Sequence, residues 1–130
     1  AEYQVNDIRW QFVAAKAELF EKEKRTVLHD IEANIFRAED EKSTLIKAKN
    51  GIIQMPSEIM VLKGKVYARF ADGQQLETEK IILDRSQNLI YNDDRVTVYS
   101  DLEHIEATSM RYIIDKELLH LNKPIIQLKL

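Results

Sequence analysis

Cysteine is absent from the 130 residues, which excludes disulfides, zinc–thiolate sites and cysteine nucleophiles and leaves the redox compartment open. Three glycines and two prolines are few for a chain with many turns, so Asp, Asn, Ser and Lys must make most of them. A surplus of either charge is missing too. With 19 basic and 22 acidic residues the net charge is −3, which gives no electrostatic reason to expect a nucleic-acid partner. No apolar run reaches the ~18–20 residues that cross a bilayer. Ile52-Ile53 and Ile59 to Leu62 come nearest, and Pro56, Glu58 and Lys63 interrupt them. The chain opens without a signal sequence and with Ala1 rather than methionine, so a processed or trimmed upstream segment is expected.

Signs of chemistry are equally sparse. There is no glycine-rich phosphate loop, no Gly-x-Ser-x-Gly elbow and no His-Glu-x-x-His motif. His29, His104 and His120 lack metal-ligand spacing, and Glu77, Glu79, Asp93, Asp94 and Glu103 lie in turns or beside lysines. No catalytic residue, metal or cofactor is expected. An enzyme would need several of these groups to converge in one cleft.

What is present is a packed core and a repeat. Hydrophobic residues make up 45% of the chain, too many for a disordered segment. Residues 1–9 read as a polar lead-in and 10–130 as a single domain of four repeat units. The clearest unit runs from Leu62 to Leu83: Val66, Ala68 and Phe70 alternate with Tyr67 and Arg69, and Asp72-Gly73 supplies a tight hairpin. Between Trp10 and Lys49 local propensity points instead to helices, through Ala14 to Leu19 and the spacing of Leu28, Ile31 and Ile35.

Repetition overrides that local signal. A six-residue pattern (apolar, any, small, any, any, small or apolar) occurs at Phe12–Ala17, Ile46–Gly51, Leu76–Ile81 and Ile105–Met110. Its third positions, Ala14, Ala48, Thr78 and Ala107, are spaced by 34, 30 and 29 residues. Ile31, Val66, Val96 and Ile125 follow at near-constant distance. Because the later units are strand-like, the first is read as strand too. Turns are expected at Glu21–Arg25, Glu39–Ser43, Met55–Glu58, Asp72-Gly73, Asp84–Asn88, Asn92–Arg95, Asp101–His104, Asp115–Glu117 and Asn122–Pro124. Together they predict an all-β antiparallel array. Gly64 marks a bulge or, preferably, a corner. The strand phase across Glu77–Leu83 stays open, with Thr78, Lys80 and Ile82 competing against Ile81 and Leu83 for the inner face. The inward set reads either as a filled core or as a trough. Ala14, Ala17, Ala33, Ala48, Ala68 and Ala107 would leave space, and open sheet edges at both ends would invite another chain.

Leu62-Lys-Gly-Lys-Val66, Leu76 to Asp84, Val96-Thr-Val98, Ile105 to Tyr112 and the opening Trp10-Gln-Phe-Val-Ala14 together resemble the LptC family of lipopolysaccharide export, with LptA and the N-terminal domain of LptD as relatives. The resemblance spans residues 8–130. It implies an open, V-shaped antiparallel β-jellyroll (β-taco) without substantial helix. It also implies a periplasmic location, with an inner-membrane anchor helix preceding Ala1. Its expected partners are lipopolysaccharide, an inner-membrane ATP-binding-cassette transporter of LptB/F/G type and an LptA-like protein joined by edge-strand pairing; a homodimer through the edges is a further expectation. Lipid contacts carry over as inward positions: Phe12, Ala14, Ile31, Ala33, Ile35, Ile46, Ala48, Val66, Ala68, Phe70, Val96, Val98, Ile105, Ala107, Leu119 and Leu121. Ile125, Ile126, Gln127, Leu128, Lys129 and Leu130 are the expected docking edge. One departure is Ser109, where many members have glycine. An LptA-like bridge protein and a ligand-free structural module are the alternatives.

Overall fold

The computed structural model describes residues 2–5, 7–37 and 42–129, the first four by backbone alone. The expected turn at Glu39–Ser43 falls largely outside the described residues, as does Leu130. Among the described residues twelve strands form one antiparallel sheet: β1 (Glu2–Val5), β2 (Ile8–Phe20), β3 (Arg25–Arg37), β4 (Ser43–Gln54), β5 (Ile59–Arg69), β6 (Gln75–Asp84), β7 (Leu89–Tyr91), β8 (Val96–Tyr99), β9 (Glu103–Ala107), β10 (Ser109–Ile113), β11 (Leu118–Asn122) and β12 (Ile125–Leu128). A single 3-10 turn, Ile114–Lys116, joins β10 to β11. The helical signal of the first third loses outright: β2 and β3 are 13-residue strands. Their apolar residues find cross-strand neighbours at every position, which local propensity cannot register.

The sheet begins inside the expected lead-in. β1 pairs with β2 from Glu2↔Gln11 to Val5↔Ile8, and Ile8 is buried.

The chain makes eight long passes, and each is interrupted near its middle. In the last three the interruption splits a pass in two. β6 pairs with both β7 and β8, β9 and β10 flank Thr108, and β11 and β12 flank Lys123-Pro124. In the earlier passes the break is conformational. Asp30 has φ 52°, Gly64 88° and Lys65 46°, and pairing shifts register between Lys63 and Val66 and between Lys47 and Asn50. These breaks line up as a crease that folds one sheet into two facing walls. The bulge and the corner at Gly64 are thus one feature. A Cβ there would lie 3.0 Å from that of Lys49, and positive φ disfavours any other residue.

The crease explains the repeat. Inward residues at positions one, three and six of the pattern are compatible only if the strand phase switches between three and six. Across β6 it does so: Leu76 and Thr78 are buried, Glu79 is exposed, and Ile81 and Leu83 are buried again. That settles the open phase of this strand. Beside the crease, register links Ala14, Ile31 and Ala48 in one row and Val66, Thr78, Val96 and Ala107 in its continuation, the two meeting next to the Lys47↔Tyr67 pair where β4 and β5 shift register. Walls converge there, so small and β-branched residues fill the apex. Four of the six alanines therefore pack instead of leaving space: Ala33, Ala48, Ala68 and Ala107 are 0–7% exposed, whereas Ala14 is half-buried and Ala17 exposed. Gly51 is small for the same reason, since a Cβ would lie 3.1 Å from Leu62 and 3.2 Å from Ile31. One repeat position falls out of phase: Ile125 pairs with Glu106 on the outer face. Ala17 keeps the phase, in one row with Leu28, Gly51, Leu62 and Ile81, and is exposed because it lies on the edge of that wall. Ser109 is absent from the positive-φ positions, so serine costs nothing there.

Candidate functional site

The candidate site is the space between the walls. Of the sixteen inward positions singled out from the sequence, twelve are 0–7% exposed, from Ala33 and Ile46 at 0% to Ala48 and Ile105 at 7%. Phe12, Ala14, Leu119 and Leu121 are partly covered and pack against the same cluster. All sixteen thus share one interior, which is closed along its middle. At its two ends the inner face continues into water. Leu19 is 70% exposed in β2, and Ile126 and Leu128 are 55% and 63% exposed in β12. Register places Leu19 in a row with Thr26, Ile53, Met60, Leu83 and Ile90. Ile126 faces Ile105 across the β9–β12 pair. An apolar lining therefore runs from one edge of the folded sheet to the other.

Away from the crease the rims are held together. Arg37, ending β3 in one wall, lies 3.0 Å from Glu117, beside the 3-10 turn of the other. Phe70 packs on Tyr112 with ring centroids 4.4 Å apart, and Trp10 is fully buried beside Phe12. Burial, the larger influence, raises the Tyr112 phenol above its ordinary value, opposed by a hydrogen bond with Thr44. The protonated phenol is thus favoured by folding. Its stabilisation is complete below the unfolded pKa of 10.0 and is lost as pH rises through the higher folded value. Denaturant titrations should accordingly show wild type losing stability above about pH 10. Tyr112→Phe should flatten that limb while leaving neutral-pH stability within about 1 kcal/mol.

Sequence reasoning missed the polar staple of the crease. Asn92 is 4% exposed. Its Nδ2 donates to Thr78 Oγ1 at 3.1 Å and to the Lys80 carbonyl at 3.0 Å, and its Oδ1 accepts from the Met110 amide at 3.0 Å. Thr78 in turn donates to the Arg95 carbonyl at 2.8 Å. Asn92 looked like a turn residue, and its role depends on three strands that meet only in the fold. The Arg37–Glu117 pair likewise joins segments with no shared local pattern.

The histidines stand apart. His29 pairs with Glu18 on β2, His104 lies 3.9 Å from Glu106, and His120 is on β11. Among the described residues no group of three or more His, Cys, Asp or Glu could hold a metal ion. No helix there is long and apolar enough to cross a membrane. Of the expected docking edge, Ile125 to Leu128 form β12, are all exposed and, among the described residues, pair with β9 alone.

Comparison with known proteins agrees with this architecture. The family model described as lipopolysaccharide-assembly, LptC-related, matches residues 1–125. Among solved structures, the chain is similar to LptH, described as the LptA-homologous periplasmic component of the lipopolysaccharide transport device from Pseudomonas aeruginosa. The TM-score is 0.63 at 16% identity, over 93% of this chain and 94% of that one, a likeness of fold. A search of curated protein sequences finds no match.

Proposed function

Because the chain belongs to the lipopolysaccharide-assembly, LptC-related family, we propose that it is a periplasmic carrier that holds the acyl chains of lipopolysaccharide between its two walls. The observation that supports this most is the continuous apolar lining, buried in the middle and exposed at Leu19 on one edge and at Ile126 and Leu128 on the other. Acyl chains on that lining gain ~0.8 kcal/mol per buried methylene, while the charged sugar head stays in water. With the middle closed, loading requires the walls to part, and the rim contacts at Arg37–Glu117 and Phe70–Tyr112 are what must separate.

In this reading the lipid arrives from an inner-membrane ATP-binding-cassette transporter. It leaves toward an LptA-like protein that adds a strand to the β12 edge. Carriage involves no covalent step and draws its energy from ATP hydrolysed elsewhere. An anchor helix ahead of Ala1 would fit the LptC role, and a cleaved leader the LptA role.

The test is site-specific photocrosslinking in cells. A photoreactive residue at Phe70 or Ala107 captures lipopolysaccharide, whereas one at Arg69, on the outer face of β5, does not. Absence of capture at both inward positions would leave a ligand-free structural module as the better reading.

A further inference from the structure

The outer faces of the two walls differ in a way the interior does not use. On the wall containing the N-terminal half of β5, register aligns Val27, Ile52, Val61, Ile82 and Tyr91 as one outward apolar row across five neighbouring strands. All five are half-buried. Beside it, next to the crease, runs a second outward row: Lys16, His29, Asn50, Lys63 and Lys80. On the far side, at the rim, Phe20 and Ile59 are 38% and 36% exposed, and Arg25 lies over the Phe20 ring at 4.8 Å. The corresponding outward row of the other wall holds Glu32, Lys47, Tyr67, Glu77, Thr97 and Glu106, with Lys47 paired to Glu32 at 3.7 Å.

β-branched residues suit strands wherever they lie, so the apolar row alone says little. The lysines carry more weight. Lys63 and Lys80 are direct cross-strand partners, a placement in which like charges repel. Neither forms an ion pair among the described residues. The fold thus keeps an unneutralised cation pair beside an apolar stripe. That combination matches an anionic lipid surface, where lysine stems lie along the apolar region and their ammonium groups reach phosphates.

From this placement we infer that the outer face built on Val27, Ile52, Val61 and Ile82, with Lys63 and Lys80, docks the domain against an anionic phospholipid bilayer. The contact lies outside the cavity and is independent of lipid carriage between the walls.

The experiment is cosedimentation of the purified domain with vesicles of equal parts phosphatidylglycerol and phosphatidylcholine, and with phosphatidylcholine alone. Wild type binds the first in a salt-sensitive manner and not the second. Lys63→Glu and Lys80→Glu each lower partitioning about tenfold or more. Each also replaces a repulsion by an attraction, so the melting temperature stays level or rises by about 1–4 °C. A lysine conserving the fold alone would show the opposite thermal change. Arg69→Glu, on the other wall, leaves binding unchanged. The inference is overturned if wild type ignores anionic vesicles, if K63E and K80E bind as well as wild type, or if R69E loses as much as they do. Displacement by millimolar inorganic phosphate would also overturn it, by identifying a simple anion site in place of a bilayer contact.

Discussion

Asn92→Leu lowers the stability of the domain by about 3–5 kcal/mol, a large share of the 5–15 kcal/mol typical of a domain. Leucine fits the volume and can satisfy nothing. The Lys80 carbonyl and the Met110 amide lose their partners inside the crease, and Thr78 loses a donor. Each buried polar group left unpaired costs about 1–3 kcal/mol. Asn92→Asp separates this cause from mere packing. An aspartate keeps the acceptor for Met110 but turns a charge toward the Lys80 carbonyl. Relative to wild type at each pH, N92D recovers part of its loss as pH falls and the carboxyl regains a proton it can donate. Urea titrations of wild type, N92L and N92D at neutral and acidic pH check both statements. Near-wild-type stability of N92L would mean that the crease is held by its apolar row alone.

The second large effect concerns the rims. In Arg37→Cys/Glu117→Cys, a short cleavable bis-maleimide ties β3 to the turn after β10, where the native ion pair spans 3.0 Å. The absence of native cysteine makes the reaction selective. With the link in place the walls cannot separate, and lipopolysaccharide capture by the purified domain falls about tenfold or more, because the binding-competent fraction is nearly abolished. Cleaving the linker restores capture. The unlinked double variant binds at least as well as wild type, since losing the ion pair eases opening. Undiminished capture by the linked protein would show that the lipid rides on an outer surface.

How much of this could be read from the chain follows from which interactions are periodic. The six-residue repeat carried the all-β fold, most turns and the inward phase of Ile31, Ala48, Val66 and Val96, because cross-strand register stamps a period on the sequence. The same repeat contained the crease, in the odd step between its third and sixth positions, but its meaning needed Asp30 and Lys65 to be seen at positive φ. Small residues at the apex were read as room for a ligand, whereas they are the residues that fit where two walls converge. Asn92, Glu117 and Arg37 left no periodic trace. Their partners lie in distant segments, and a turn-like Asn or an exposed-looking Glu is locally ordinary. The outer rows of Val61 and Lys63 were visible only as alternation. Which neighbours they meet depends on register across five strands.

The most direct test of the central claim combines the two handles on the cavity. A photoreactive residue is placed at Phe70 in R37C/E117C, and lipopolysaccharide capture is measured with the rims linked and after release. Strong capture after release and little while linked is the predicted result. Equal capture in both states, or none in either, would contradict the claim that the lipid lies between the walls.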